Sequence, residues 1–223
     1  MSKGGIIMNY ILSKFSHELR NPLTSLYSSI QLIETQHPEV KEFKYWKNLG
    51  EDIRYMRQLL DDLSDFTKSE TVNLSTFSLY ELLEQISLSF AATIADSDVE
   101  YTSKISPSIQ QITGDKIKLQ EVFRNLLKNA FDATRPNKTI YLDASLQGEN
   151  VVVTIRDTGI GIAPEQLENI FEPFVTYKKD GTGLGLAISK RIVEAHGGNI
   201  SLTSTENEGT TVTVTLPLNL SLL

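Results

Sequence analysis

The chain has 223 residues, with 21 Lys and Arg against 28 Asp and Glu, so its formal charge of -7 at pH 7, with no basic face interleaved with aromatics, argues against nucleic-acid binding. The absence of cysteine excludes disulfides and thiolate metal sites and fits a reducing compartment. A composition 40% hydrophobic and 22% charged suits one or two globular domains, no run approaches the ~20 apolar residues of a membrane span, and Met1 to Met8 is too short for a signal peptide.

From about residue 9 to 36 the apolar positions Leu12, Phe15, Leu19, Leu23, Leu26, Ile30 and Ile33 recur at helical spacing, and from about 41 to 68 Trp46, Leu49, Ile53, Met56, Leu60, Leu63 and Phe66 do the same. Gln36-His37-Pro38-Glu39 between them reads as a turn, which predicts an antiparallel hairpin of helices roughly 40 Å long. Two such helices cannot cover a seam on both sides, so dimerisation into a four-helix bundle is the natural remedy. Inside the first helix, His17 lies about 200° round from both Phe15 and Leu19, which predicts that it faces away from the seam. Asn21 shares its face, and Pro22, which has no amide for the Glu18 carbonyl, predicts a bend one turn beyond.

Glu70 to Thr76 lose the helical pattern and read as a linker. Beyond it the pattern predicts a helix at 79–95, strands at 99–105 and 109–113, a helix at 115–134 and strands at 138–147 and 150–157. A short helix after Pro164 and an irregular stretch at 172–183 follow, then a helix at 184–196 and a strand pair at 199–205 and 209–216. This mixture implies an α/β sandwich with helices on one face of a mixed sheet, and an α+β chain as a whole. Asp157 falls at a strand end, where a fixed carboxylate accepts a hydrogen bond from an adenine amino group, and Gly159 and Gly161 would let backbone approach a ligand. The run Gly181-Thr182-Gly183-Leu184-Gly185 opens into a helix whose amides and dipole suit phosphate. Asn125 and Asn129, four residues apart on a helix, offer neutral oxygens suited to Mg²⁺ bound to triphosphate. His196, before Gly197 and Gly198, reads as a helix-ending residue beside a left-handed glycine cap.

Taken in order, Asn125 to Asn129, Asp157 to Gly161, Phe171-Glu-Pro-Phe174 and Gly181 to Gly185 resemble the asparagine, first-glycine, phenylalanine and second-glycine boxes of bacterial sensor histidine kinases. Phe15-Ser-His-Glu-Leu-Arg-Asn-Pro-Leu-Thr-Ser25 resembles the phosphoacceptor box of the same family, and the string around it is loosely similar to Bacillus-type sporulation kinases. The resemblance implies a dimeric phosphoacceptor bundle followed by an ATP-binding domain of the Bergerat type. By it His17 is the phosphorylated nucleophile, Glu18 orients the ring and takes its other proton, and Asn21 positions water for dephosphorylating a partner. It also implies that Lys178 contacts phosphate, that Asn129 ligates the metal and that Thr210 reaches adenine through water.

The implied boundaries are 1–70 for the dimerisation and phosphoacceptor part, 71–76 for the linker, 77–218 for the ATP-binding domain and 219–223 for a tail. The implied cofactors are ATP and Mg²⁺. The implied partners are a second copy of the chain and a response-regulator receiver domain, with no nucleic acid. The implied location is cytoplasmic, either alone or as the cytoplasmic part of a longer membrane-bound sensor. One departure stands out: where many of these kinases carry a Lys-Tyr pair after the second asparagine, Ala130-Phe-Asp-Ala-Thr134 follows here. The phosphate grip therefore stays open among Lys178, Lys128 and Arg124. Two other readings stay open, a degenerate ATP-binding scaffold and a simple ATP hydrolase; Asn125, standing where hydrolytic members of the wider ATPase superfamily place a water-activating glutamate, weighs against the second.

Overall fold

The computed structural model describes residues 3–109, 111–136, 138–178 and 181–218, without the side chains of residues 3–10 and His17. Two compact units result: residues up to Lys68 with Thr176–Leu184, and Ser69–Val175 with the chain from Gly185 onward. The tail at 219–223 lies outside the described residues.

In the first unit, helix α1 (Lys3–Gln36) begins earlier than its apolar stripe and continues through Pro22 as one helix. Hydroxyls along it fold back on the preceding turn, as when Thr24 Oγ1 donates to the Arg20 carbonyl at 2.8 Å and shares that acceptor with the helical ladder. The connection to α2 (Trp46–Lys68) is longer than a tight turn, because Pro38–Glu42 winds into a 3₁₀ turn that buries Val40. Ile30, Ile53 and Leu60 are buried between the helices. Trp46 Nε1 donates to Glu34 at 2.9 Å, Arg20 pairs with Asp61 at 2.8 Å, and the Arg57 guanidinium lies 4.7 Å over the Tyr27 ring. Only half of the predicted seam is closed within one chain: Phe15 is 58% exposed, Leu26 52% and Met56 40%.

The second unit is built on a five-stranded mixed sheet of order β2-β4-β5-β7-β6, from β2 (Val99–Ile105), β4 (Lys138–Gln147), β5 (Asn150–Asp157), β6 (Asn199–Thr205) and β7 (Gly209–Pro217). β2 runs parallel to β4 and every other neighbour is antiparallel. Helices α3 (Leu79–Ile94), α4 (Lys116–Ala133) and α6 (Gly185–Ala195) supply the apolar layer, with Leu82, Leu83, Phe123, Leu127 and Val193 almost fully buried. A four-residue helix, α5 (Pro164–Leu167), follows β5. The stretch read as a linker to residue 76 runs into a strand, β1 (Ser75–Ser78), which pairs antiparallel with β3 (Gln111–Gly114). Four residues with no apolar alternation make no strand alone; the ladder to β3 makes this one.

α4 starts at Asp115, whose carboxylate accepts from the amides of Ile117 and Lys118 at 3.1 and 3.2 Å and from the Asn73 amide at 2.8 Å. Burial works against the ionised form, but these amides and the nearby Lys118 charge outweigh it and hold the carboxyl below the usual range. His196 does more than end α6. It is buried, its Nε2 accepts from the Asp115 amide at 2.8 Å, and its Nδ1 donates to the Ile192 carbonyl at 2.7 Å. The ring thus ties the end of α6 to the start of α4. Gly197 takes the left-handed cap conformation, with φ 64°.

Candidate functional site

β5 alternates strictly, with Val151, Val153, Ile155 and Asp157 on the buried face. The period of two that buries the valines therefore delivers a carboxylate to the core face at the strand end. Asp157 is 5% exposed and accepts from the Gly159 amide at 2.9 Å. Burial raises its pKa above the usual carboxylate value, against the lowering effect of the Gly159 and Thr210 amides. Thr210 is its register partner on β7, is buried on the same face, and its Oγ1 lies 2.9 Å from Ser204 Oγ.

The glycines also answer to a steric demand from within the protein. A Cβ on Gly159 would stand 2.2 Å from the Ala133 carbonyl oxygen, and one on Gly161 would stand 2.0 Å from that of Thr205. The amide of Ile160 donates to Ala133 at 3.0 Å and that of Asn207 donates to the Ile160 carbonyl at 2.7 Å. What the glycines admit here is the protein's own backbone, the end of α4 on one side and the β6–β7 turn on the other. Gly185 is similar: its Cβ would meet Asn125 Oδ1 at 2.7 Å.

Asn125 and Asn129 are half-buried one turn apart on α4. The Asn125 amide donates to Ser189 Oγ at 2.9 Å, and Ser189 donates to the Gly185 carbonyl at 2.9 Å. The structure thus joins Asn125 to the last glycine of the second run through Ser189, a residue outside the motifs. Its signal was a hydroxyl between Ile188 and Ile192 on the apolar face of α6. Arg124 and Lys128 are exposed on α4. Lys190 sits 5.8 Å over the Phe171 ring, and Phe174 takes a left-handed φ of 66°, unusual for a bulky side chain.

In the first unit, Thr182 Oγ1 donates to Asp62, which also accepts from Gln58 at 2.6 Å. A Cβ on Gly181 would meet Thr176 Oγ1 at 2.4 Å, so these two residues lie close together. Lys178 is exposed, Gly183 has φ 70°, and Leu184 is buried. On α1, Glu18 lies 3.9 Å from Lys14 and both Glu18 and Asn21 are exposed; the direction of the His17 side chain, expected to face away from the seam, lies outside the described residues.

A helical hairpin followed by a helix-backed mixed sheet with a buried strand-end aspartate defines a class, and comparison with known proteins agrees. Residues 7–72 match the His Kinase A (phospho-acceptor) domain and residues 114–220 the Histidine kinase-, DNA gyrase B-, and HSP90-like ATPase family. Sporulation kinase C of Bacillus subtilis (strain 168) is 30% identical over 95% of this chain and 49% of its own length; the sensor histidine kinase ZraS of Salmonella typhimurium is 32% identical over 96% and 46%. The chain thus spans about half the length of these curated relatives. Full-length ShkA in complex with AMPPNP superposes with a TM-score of 0.78 at 27% identity, over 93% of this chain and 45% of that one. The catalytic domain of histidine kinase ThkA gives 0.60 at 30% identity over 66% of this chain and 97% of its own. The chain belongs to the sensor histidine kinase family. Among the described residues no helix is long and apolar enough to cross a membrane.

Proposed function

We propose that this chain is the kinase core of a two-component sensor, phosphorylating His17 from ATP and passing the phosphoryl group to an aspartate of a response regulator. The observation that carries it is the presence in one chain of a matched phospho-acceptor segment containing His17 and a matched ATPase domain with its aspartate buried at a strand end. The Asp157 carboxylate would accept from the adenine amino group, with Thr210 beside it, while Lys178 and the run from Gly181 to Gly185 would hold the phosphates. The carboxamide oxygens of Asn125 and Asn129 fit a hard divalent cation, and Mg²⁺ held by Asn129 and the triphosphate would offset the charge that develops on the leaving group. ShkA, similar over most of the chain, binds the ATP analogue AMPPNP.

In the reaction a neutral ring nitrogen of His17 attacks the γ-phosphorus, the bond from that phosphorus to the bridging oxygen breaks, and ADP leaves. Glu18 takes the proton from the other ring nitrogen. In the second step an aspartate oxygen of the receiver attacks the same phosphorus, the P–N bond breaks and His17 recovers its proton. Asn21, exposed one turn along α1, would orient water for hydrolysis of the receiver's acyl phosphate. ThkA is itself seen in complex with response regulator protein TrrA. The exposed Phe15, Leu19, Leu26 and Met56 would close against a second copy of the hairpin. In domain terms the division proposed is 1–70, linker 71–76 and 77–218, with 219–223 as tail.

The test is incubation with γ-labelled ATP. Wild type is expected to gain label stable to alkali and lost in mild acid, and His17→Gln to gain none while still binding ATP. Label retained by H17Q refutes the assignment. Release of free phosphate without label supports a hydrolase, and nucleotide binding with neither supports a scaffold.

A further inference from the structure

The Asn125 carboxamide is held in one of its two possible orientations, and the group that chooses is Ser189. Ser189 is 1% exposed, so its hydroxyl depends on protein partners. A hydroxyl owns one proton. That proton goes to the Gly185 carbonyl, 2.9 Å away and one turn back along α6. The Ser189 oxygen therefore meets Asn125 only as an acceptor, and the 2.9 Å contact between them has to be Nδ2–H donating. This directs Nδ2 toward Ser189 and leaves Oδ1 as the end of the amide not bonded to Ser189. Gly185 completes the seat, because a Cβ there would stand 2.7 Å from Oδ1 and 3.1 Å from Nδ2.

We infer that Ser189 is a positioning residue for the nucleotide's divalent cation: it presents Asn125 Oδ1, an acceptor, to the cation or to a water on it. This rests on the proposed nucleotide reading and adds a residue to it. Asn129, on the same face of α4 one turn later, would ligate the cation alongside. Without the Ser189 oxygen either end of the amide fits the seat, and an outward Nδ2–H repels a cation and the protons of its waters.

Ser189→Ala and Asn125→Ala, singly and together in the full chain, are titrated with AMPPNP by calorimetry, once with Mg²⁺ and once with EDTA. S189A is expected to lose about tenfold in affinity with Mg²⁺, a hydrogen bond's worth, and to match wild type in EDTA. In the N125A background it should cost nothing further. Ser189→Cys, which keeps the volume but bonds weakly, should show the same Mg²⁺-selective loss and covers the event that S189A misfolds. Equal losses in both buffers, or additive losses in the double variant, would overturn the inference and make Ser189 a packing residue. If wild type binds no nucleotide in either buffer, the proposed function falls and this inference with it.

Discussion

Replacing His196 tests how the second unit is held together. In His196→Ala the Asp115 amide loses its acceptor at 2.8 Å, whereas the Ile192 carbonyl keeps its main-chain donor, the His196 amide at 3.2 Å. A buried donor left without a partner costs about 1–3 kcal/mol, and the space vacated by the ring adds to it. The same geometry sets a pH dependence. Nε2 accepts and Nδ1 donates, so the ring is held neutral, and burial pushes its pKa below the ordinary value, against Asp115, which raises it, and with Lys118, which lowers it further. The unfolded ring takes a proton near pH 6.5 and the folded ring resists it. Stability is therefore complete above that pH and is lost below it, by at most about 1.4 kcal/mol per pH unit. The lowered Asp115 pKa adds stability that is present above the ordinary carboxylate value and lost only in more acidic solution. Urea unfolding followed by circular dichroism at pH 7.5 and pH 5.5 should show wild type losing up to about 1.4 kcal/mol more than His196→Gln. A gap between wild type and variant that is the same at both pH values would refute the neutral-lock argument.

Two further outcomes concern the strand end and the first glycine run. Asp157→Asn removes a buried charged acceptor, so ATP affinity measured by titration should fall about ten- to a hundredfold, the range of a charge-assisted hydrogen bond; unchanged affinity would place the adenine elsewhere. Gly161→Ala and Gly148→Ala form a matched pair, since their φ angles are 65° and 62° but only Gly161 has a neighbour in the way. Each should lose about 1–2 kcal/mol to the left-handed backbone, and G161A should lose more through the Thr205 carbonyl. Equal shifts in thermal midpoint would show that this contact is not the constraint.

The strands were legible where composition and periodicity agreed: β4 and β5 occupy the segments 138–147 and 150–157 read from the sequence. β1 was not, because Ser75–Ser78 is a strand only through its ladder to β3, more than thirty residues downstream. Longer separations, 81 and 64 residues, hid the Asp115–His196 tie and the Asn125–Ser189 contact, in which neither partner signals the other. The motifs located the candidate glycines but not the part the protein's own backbone plays there, since a glycine spacing says nothing about which main chain comes close. The hairpin's apolar stripe was correct as a helical period. Its other half is left exposed by the hairpin itself.

An open sheet has two rims, each with main-chain groups ready to recruit a foreign strand. Here β2 presents Glu100, Thr102 and Lys104 and β6 presents Asn199, Ser201, Thr203 and Thr205, all exposed and none a large apolar residue. Bare hydrophobic side chains crowd instead onto the hairpin, from Ile11 to Met56. Stickiness is thereby zoned: the sheet rims discourage fibrous pile-up, and among the described residues most of the bare apolar side chains lie on the helices of the hairpin instead.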